Sequence, residues 1–148
     1  MKYDTDVLVI GSGIAGLYSA IKIAEFADVI LVTKKDRAES NTNYAQGGIA
    51  SVLAPEDSFE KHINDTIIAG AGLCNRNSVK ILVEEGPDRI KELIDIGTKF
   101  TEKDGNLDLV REGGHSFSRI VHAKDLTGKE VERALINKAN SLNNLQII

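Results

Sequence analysis

The chain has 148 residues, which is about the length of one domain and enough to bury a core. Its 18 basic and 22 acidic side chains give a net charge of −4, which argues against a nucleic-acid surface, and the absence of Trp argues against a base-stacking platform. A single cysteine, Cys74, excludes an internal disulfide. No run approaches the roughly 20 apolar residues of a membrane span, and the first residues make a poor signal peptide. These features predict a cytoplasmic protein.

The first pattern along the chain is an apolar strand that runs into a glycine-rich turn and then into a helix. The strand is predicted at Asp6–Ile10, the turn is G-S-G-I-A-G at 11–16, and the helix is predicted from Ile14 to Glu25. This order is typical of a dinucleotide-binding turn, in which phosphates lie at a helix N-terminus. Gly11 would permit the tight turn, Gly13 the approach of a pyrophosphate, and Gly16 the close packing of helix on strand.

The rest of the chain predicts an α/β fold with a parallel sheet. Asp28–Thr33 is a near-continuous apolar run, which is typical of a parallel strand buried on both faces. Leu145–Ile148 predicts another strand, and its apolar end leads us to expect that the sequence is part of a longer protein. Helices are predicted from Asp57 or Ser58 to Gly70 or Gly72, at Asn77–Glu85, at Pro87–Ile96 and at Gly128–Leu142, with a turn at 103–106 between short strands.

The end of the second predicted strand leaves the identity of the dinucleotide open. An NAD site usually has Asp or Glu there, where it accepts hydrogen bonds from ribose hydroxyls, whereas this chain has Thr33, Lys34 and Lys35. A lysine there could accept the 2′-phosphate of NADP in a non-catalytic nucleotide-binding module. Alternatively, the ribose of a flavin cofactor could bond near Thr33. The charged residues at 35–39 predict a solvated loop.

A second glycine-rich run, N-T-N-Y-A-Q-G-G-I-A at 41–50, follows this loop. Its glycine pair offers backbone N–H groups to a flat ligand, and Gln46 offers both a donor and an acceptor to a ring edge. By residue type alone, a flexible glycine loop explains the run equally well.

The histidines and the cysteine do not predict a metal site. His115 and His122 lack metal-ligand spacing with each other and with Cys74. We expect His62 to be structural, His122 to pack or to form a hydrogen bond, and Cys74 to be a small buried residue.

Taken in order, several blocks resemble a known family. They are the glycine motif, Y-A-Q-G-G-I-A at 44–50, D-T-I-I-A-G-A-G-L-C at 65–74, R-E-G-G-H-S at 111–116, R-I-V-H-A at 119–123 and D-L-T-G at 125–128. Together they are similar to the L-aspartate oxidase family, which belongs with the succinate dehydrogenase and fumarate reductase flavoproteins. The resemblance covers essentially all 148 residues.

The resemblance implies a Rossmann-like FAD-binding domain, incomplete because residues 1–148 would be its N-terminal part without the capping and C-terminal helical domains. It implies that Glu112 orients the substrate amine and that His115 approaches the active site. The alternative for Glu112 is an exposed loop carboxylate paired with Arg111. The resemblance assigns FAD binding to Gly11, Ser12, Gly13, Ile14, Ala15, Gly16, Lys34, Asn41, Thr42, Asn43, Tyr44, Ala45, Gln46, Gly47 and Gly48.

Asn41 and Glu112 distinguish this resemblance from the dicarboxylate relatives. In the succinate dehydrogenase pattern, a His five residues before the Gln or Glu of the Gly-Gly run bonds covalently to the flavin. Asn41 occupies that position here, so we expect FAD to be non-covalent. An acid at Glu112 suits a substrate with an ammonium group. Both residues count against the alternative of a dicarboxylate (succinate/fumarate) oxidoreductase.

The implied reaction is oxidation of L-aspartate to iminoaspartate for NAD biosynthesis, with oxygen or fumarate as the electron acceptor and quinolinate synthase as a candidate partner. The catalytic Arg and His residues of the family lie in later segments. We therefore expect no catalytic residue in this chain and no turnover by the chain alone.

Overall fold

The computed structural model describes residues 2–34 and 40–148. Its helices are α1 (Ile14–Ile23), α2 (Phe59–Ala69), α3 (Arg76–Ile96) and α4 (Thr127–Asn140). Its strands are β1 (Val7–Ile10), β2 (Val29–Val32), β3 (Ile49–Ala50), β4 (Glu102–Lys103), β5 (Asn106–Leu107), β6 (Leu109–Val110), β7 (Ile120–Val121) and β8 (Leu145–Ile147). Among the described residues, no helix is both long and apolar enough to cross a bilayer.

A parallel sheet with the strand order β1-β2-β8 organises the main core. The central strand, β2, pairs in parallel on both sides and buries Val29, Ile30 and Leu31, as expected for an apolar strand covered on both faces. Leu17 of α1 and Leu135 of α4 are completely buried in the same core. The predicted α/β fold with a parallel sheet is therefore confirmed.

A second, antiparallel sheet with the order β3-β7-β6 was not predicted from the sequence. Ile49 pairs with Val121, and Leu109 pairs with Val121 from the other side. Each strand has only two residues, which is too short for an alternating apolar pattern to be recognised. A separate hairpin of β4 and β5 confirms the turn predicted at 103–106.

The prediction of two helices at Asn77–Glu85 and Pro87–Ile96 is wrong, because α3 runs unbroken through Pro87. A proline inside a helix costs about 3 kcal/mol. Burial of an apolar side chain contributes about 1.5–3 kcal/mol, and α3 buries four of them on one continuous face. The shared face outweighs the proline; its buried residues are Val79, Val83, Ile90 and Leu93. The helix does end at Gly97, as predicted, with φ at +112°.

Other predicted elements are confirmed with small shifts at their ends. Ser58, rather than Asp57, caps α2, because its hydroxyl accepts a hydrogen bond from the Lys61 N–H at 3.3 Å. The helix predicted to end at Glu25 ends at Ile23, since the chain leaves it through a turn. The limits also differ by one or two residues in the strands predicted at 6–10, 28–33 and 145–148 and in the helix predicted at 128–142.

Candidate functional site

The glycine turn between β1 and α1 has the predicted geometry. Gly11 has φ at +110°, in the left-handed region that favours glycine, and its N–H donates to the Val32 carbonyl at 2.8 Å. A Cβ on Gly16 would overlap the carbonyl oxygen of Gly11. The tight turn at Gly11 and the close packing at Gly16 are therefore confirmed.

The N-terminus of α1 is suited to an anion. Gly13 occupies the N-cap position and provides no side-chain cap, so the backbone N–H groups of the first turn have no partner on the cap residue. One of them, the Ile14 N–H, donates to the Thr42 hydroxyl at 3.1 Å. Ser12 is buried and shares a 2.8 Å hydrogen bond with the Thr33 hydroxyl, while Ala15 is exposed. The donors and the helix dipole fit a pyrophosphate.

The second glycine-rich run lies against this helix end. Thr42 reaches α1 directly, and the Ala45 carbonyl accepts a 3.0 Å hydrogen bond from the Gly128 N–H at the start of α4. Lys34 is exposed beyond β2, whereas Lys35 and the loop predicted at 35–39 lie outside the described residues. The exposed members of the run are Asn41, Tyr44, Ala45, Gln46 and Gly47, and the half-buried ones are Thr42, Asn43 and Gly48.

The structure brings Glu112 to the glycine pair, 65 residues away in sequence. A Cβ on Gly47 would lie 3.9 Å from both carboxylate oxygens of Glu112. Glu112 is exposed, and within the described ranges its carboxylate forms no ion pair with Arg111. Glu112 is thus an exposed loop carboxylate, as in the alternative, but without the pair to Arg111, and it lies beside Gly47.

A buried ionic cluster supports the loop that carries Glu112. Arg119 is completely buried, and it donates from Nε and Nη2 to the two carboxylate oxygens of Asp57, both at 2.8 Å. Its Nη1 donates to Asp65 at 2.7 Å. The same Asp65 oxygen accepts from the backbone N–H and the hydroxyl of Ser116, at 2.8 and 2.7 Å. One guanidinium thus joins α2 and the segment before it to the loop before β7.

The pKa shifts of the aspartates agree with an ionised cluster. Burial raises the pKa of the Asp65 carboxyl, but hydrogen bonds from Ser116 and Arg119 outweigh burial and bring the pKa down to about 2. The pKa of Asp57 is also lowered, because hydrogen bonds from Arg119 and the Ser58 N–H outweigh its burial. Both carboxyls are therefore charged at neutral pH.

Two histidines adjoin this cluster. Arg119 Nη1 lies 3.3 Å from His115 Nδ1, and since a guanidinium only donates, Nδ1 is the acceptor and the ring proton is on Nε2. His62 lies in α2 with its ring centroid 5.6 Å from that of His115. Burial, together with the charge of Arg119, lowers the pKa of His62, so this side chain is neutral and packs in the interior, as predicted.

The other singled-out side chains have structural environments. His122 lies 3.4 Å from an Asp108 oxygen, so the predicted hydrogen-bonding role is confirmed. Cys74 is half-buried and its thiol donates to the Thr66 carbonyl at 3.6 Å. In the described ranges, no three His, Cys, Asp or Glu side chains are grouped to hold a metal ion.

Sequence reasoning missed the Arg119 cluster. The sequence marks Asp57 only as a candidate helix cap and Arg119 only as part of a matching block. The guanidinium and its two aspartates are 62 and 54 residues apart in sequence, so no local spacing links them. The one available signal was an arginine directly before an apolar strand segment, where a buried charge needs a carboxylate partner.

The fold and the glycine turn define a nucleotide-binding flavoprotein domain, and the chain belongs to the FAD-binding domain family, which matches residues 6–148. FAD, the cofactor predicted from the sequence, is therefore the cofactor of its family. The chain is also similar to curated proteins named L-aspartate oxidase. The chloroplastic L-aspartate oxidase 2-b of Nicotiana tabacum is 57% identical over 132 residues, which are 88% of this chain and 20% of the relative. L-aspartate oxidase of Vibrio cholerae is 43% identical over 153 residues, which cover 99% and 29% of the two chains.

Solved structures of flavoprotein oxidoreductases have the same fold. A quinol-fumarate reductase with menaquinol matches with a TM-score of 0.93 and 31% identity, covering 100% of this chain and 26% of its own. Mycobacterium smegmatis Sdh1 in complex with UQ1 matches with a TM-score of 0.90 and 32% identity, covering 99% and 27%. The predicted resemblance to L-aspartate oxidases and to the succinate dehydrogenase and fumarate reductase flavoproteins is confirmed. The chain spans 20 to 34% of the length of the curated relatives it matches.

Proposed function

We propose that this chain is the N-terminal part of the FAD-binding domain of an L-aspartate oxidase, which oxidises L-aspartate to iminoaspartate in NAD biosynthesis. The relatives that bear this name support the proposal. The observation that carries it is the Glu112 carboxylate beside Gly47, in the glycine pair that we assign to the flavin.

A carboxylate at this point fits an amino acid better than a plain dicarboxylate. Succinate offers two negative carboxylates, which Glu112 would repel, whereas aspartate adds an ammonium group that donates to it. Arg119 binds Asp65, and Asp65 in turn binds Ser116 of the loop that carries Glu112. These hydrogen bonds hold the loop, and none of them involves the Glu112 side chain. The free carboxylate can then orient the substrate amine.

The residues around the glycine turn fit the cofactor. The α1 N-terminus would hold the pyrophosphate, and the 41–48 run would lie along the path to the flavin. When bound, FAD supplies the acceptor for the hydride that leaves the substrate. The chain's own contribution is to bind the cofactor and to present Glu112 to the substrate amine.

The test of Glu112 is a Glu112→Gln substitution in the whole protein, with kcat/KM measured for aspartate and for succinate. We expect a loss on the order of 10- to 100-fold with aspartate, since a charge-assisted hydrogen bond is removed. Turnover of succinate should change by less than about threefold. A Glu102→Gln variant, altered in the exposed β4–β5 hairpin, is the matched control and should resemble the wild type.

An equal loss with both substrates would remove the proposed role of Glu112. If the whole wild-type protein oxidises succinate but not aspartate, the alternative of a dicarboxylate oxidoreductase replaces the proposal. The NADP-binding module receives no support, because the family that matches is an FAD family.

We further propose that the FAD is non-covalent, because Asn41 cannot form the histidyl link. Acid precipitation of the whole protein should release the yellow flavin into the supernatant. A flavin that stays with the precipitated protein would contradict this proposal.

Other parts of the proposal concern the whole protein. We propose that its catalytic Arg and His residues lie beyond the 148 residues, since the chain spans only 20 to 34% of its relatives. The resemblance supports oxygen or fumarate as the electron acceptor and quinolinate synthase as a partner, and both stay predictions. The cytoplasmic location predicted from the composition also stays a prediction.

A further inference from the structure

We propose that Glu132 is a positioning residue that holds the cofactor-binding turn in place through Ser40. Glu132 lies on α4 and is 1% exposed. Its Oε1 accepts a hydrogen bond from the Ser40 hydroxyl at 2.5 Å, across 92 residues of sequence. Its Oε2 is buried and has no hydrogen-bond partner among the described residues.

Ser40 passes this contact on to the turn that follows it. The Ser40 hydroxyl accepts a 3.3 Å hydrogen bond from the Asn43 N–H while it donates to Glu132. Between these residues lie Asn41 and Thr42, and Thr42 accepts from the Ile14 N–H of α1. The turn is thus tied at one side to the helix end assigned to the pyrophosphate, and at the other side to α4.

Burying the carboxyl group of Glu132 costs free energy of folding, which indicates that this residue has a specific role. Its helical neighbours Val131, Ala134 and Leu135 are buried apolar residues, so an apolar side chain would suit the site better. Burial raises the pKa of the Glu132 carboxyl, and the Ser40 hydrogen bond only partly opposes this. A buried acceptor without a donor destabilises the fold, and Ser40 supplies a donor to the Glu132 carboxyl. The contact with Ser40 is therefore the one that favours this carboxyl in the folded protein.

The consequence is an effect on cofactor affinity rather than on chemistry. The inference rests on the proposed role of residues 41–48 in binding FAD, since the turn is held in its binding shape before the cofactor arrives. Without the Glu132–Ser40 contact, the turn keeps its hydrogen bonds to Ile14 and Gly128 but loses the one at its start, which then has to be ordered when FAD binds, and this ordering weakens the affinity.

The experiment is FAD titration of the apo form of the whole protein, followed by the change in flavin fluorescence. We expect Ser40→Ala and Glu132→Ala each to weaken binding about three- to tenfold, which corresponds to one ordinary hydrogen bond. The double variant should be no weaker than the weaker single variant, because both remove one contact. Glu132→Gln keeps the shape and the carbonyl acceptor, and it should bind within about twofold of the wild type.

The matched control is Glu130→Ala on the same helix. Glu130 accepts from the Lys99 N–H and pairs with Arg133, so its loss should lower the urea midpoint, yet it has no contact with the turn. We expect Glu130→Ala to bind FAD with an affinity within about twofold of that of the wild type. If Glu130→Ala weakens FAD as much as Glu132→Ala, general destabilisation explains the effect and the inference is overturned.

Two further outcomes separate this inference from the function on which it rests. If the wild type binds FAD and Ser40→Ala binds it equally well, the role of Glu132 is overturned while the proposed function stands. Additive losses of affinity in the double variant have the same meaning. If the wild-type protein binds no FAD, the proposed function fails and the inference fails with it. Should Glu132→Ala not fold, Ser40→Ala and Glu132→Gln still decide the question.

Discussion

Two regions of the molecule hold their functional residues in different ways. The sheet half, made of β1, α1, β2 and β8, presents a glycine turn on an apolar core. The loop half, made of α2, β7 and the loop 111–119, presents Glu112 above a buried guanidinium and two aspartates. The first region is built from packing and backbone geometry, and the second from charges that are far apart in sequence.

The difference follows from what each region has to hold. A pyrophosphate is bound by backbone N–H groups, so the sheet half needs only a helix end and side chains small enough to allow approach. A substrate amine needs a carboxylate in one position, on a loop with little apolar surface of its own. The Arg119 cluster fixes that loop, and it is expensive to break because its charges are buried.

The largest expected effect is that of Arg119→Leu, which leaves Asp57 and Asp65 without their cation. We expect a loss of about 3–5 kcal/mol in the free energy of unfolding of the whole protein, measured by urea denaturation. Arg89→Leu is the control, because Arg89 is 48% exposed and pairs only at the surface, so it should cost below about 1 kcal/mol. Similar losses for the two variants would show that the buried Arg119 cluster contributes no more to stability than a surface ion pair, which would contradict the way the loop half is held.

A smaller effect is expected in the sheet half from Gly16→Ala. The added Cβ would overlap the Gly11 carbonyl oxygen, so helix and strand must separate. We expect a cost of about 1–3 kcal/mol in unfolding free energy together with weaker FAD binding. Gly113→Ala is the control, since a Cβ there meets no atom within 4 Å. An unchanged free energy of unfolding in Gly16→Ala would mean that close packing is not what fixes the turn.

The last expected effect is a pH dependence to which Asp65 contributes in the loop half. The pKa of Asp65 is about 2 in the folded protein and 3.8 ordinarily, so the unfolded state binds more protons between these values. The stabilising contribution is complete above about pH 4 and is lost as the pH falls toward 2. Asp65→Asn should therefore flatten the pH dependence of the urea midpoint in this window. An unchanged slope would show that Asp65 is not ionised in the cluster.

Predictability from the sequence differs between the same two regions. Gly11, Gly16 and the strand at 28–33 carry local patterns, because a turn and a buried strand are each set within a few residues. The unbroken α3 could not be predicted, since Pro87 is a local stop and the shared buried face that overrides it depends on neighbours. The two-residue strands of the second sheet have no period to detect.

Local sequence patterns are enough to predict the nucleotide-binding turn, the α/β order and, through the resemblance, the family and its cofactor. These depend on contiguous residues, and a motif keeps its physical meaning wherever it folds. Three arrangements are visible only in the folded chain: Glu112 lies beside Gly47, Arg119 lies between Asp57 and Asp65, and Glu132 reaches Ser40. Each of these pairs joins residues more than 50 positions apart, and the buried Arg119 and Glu132 meet their partners only when the core closes around both.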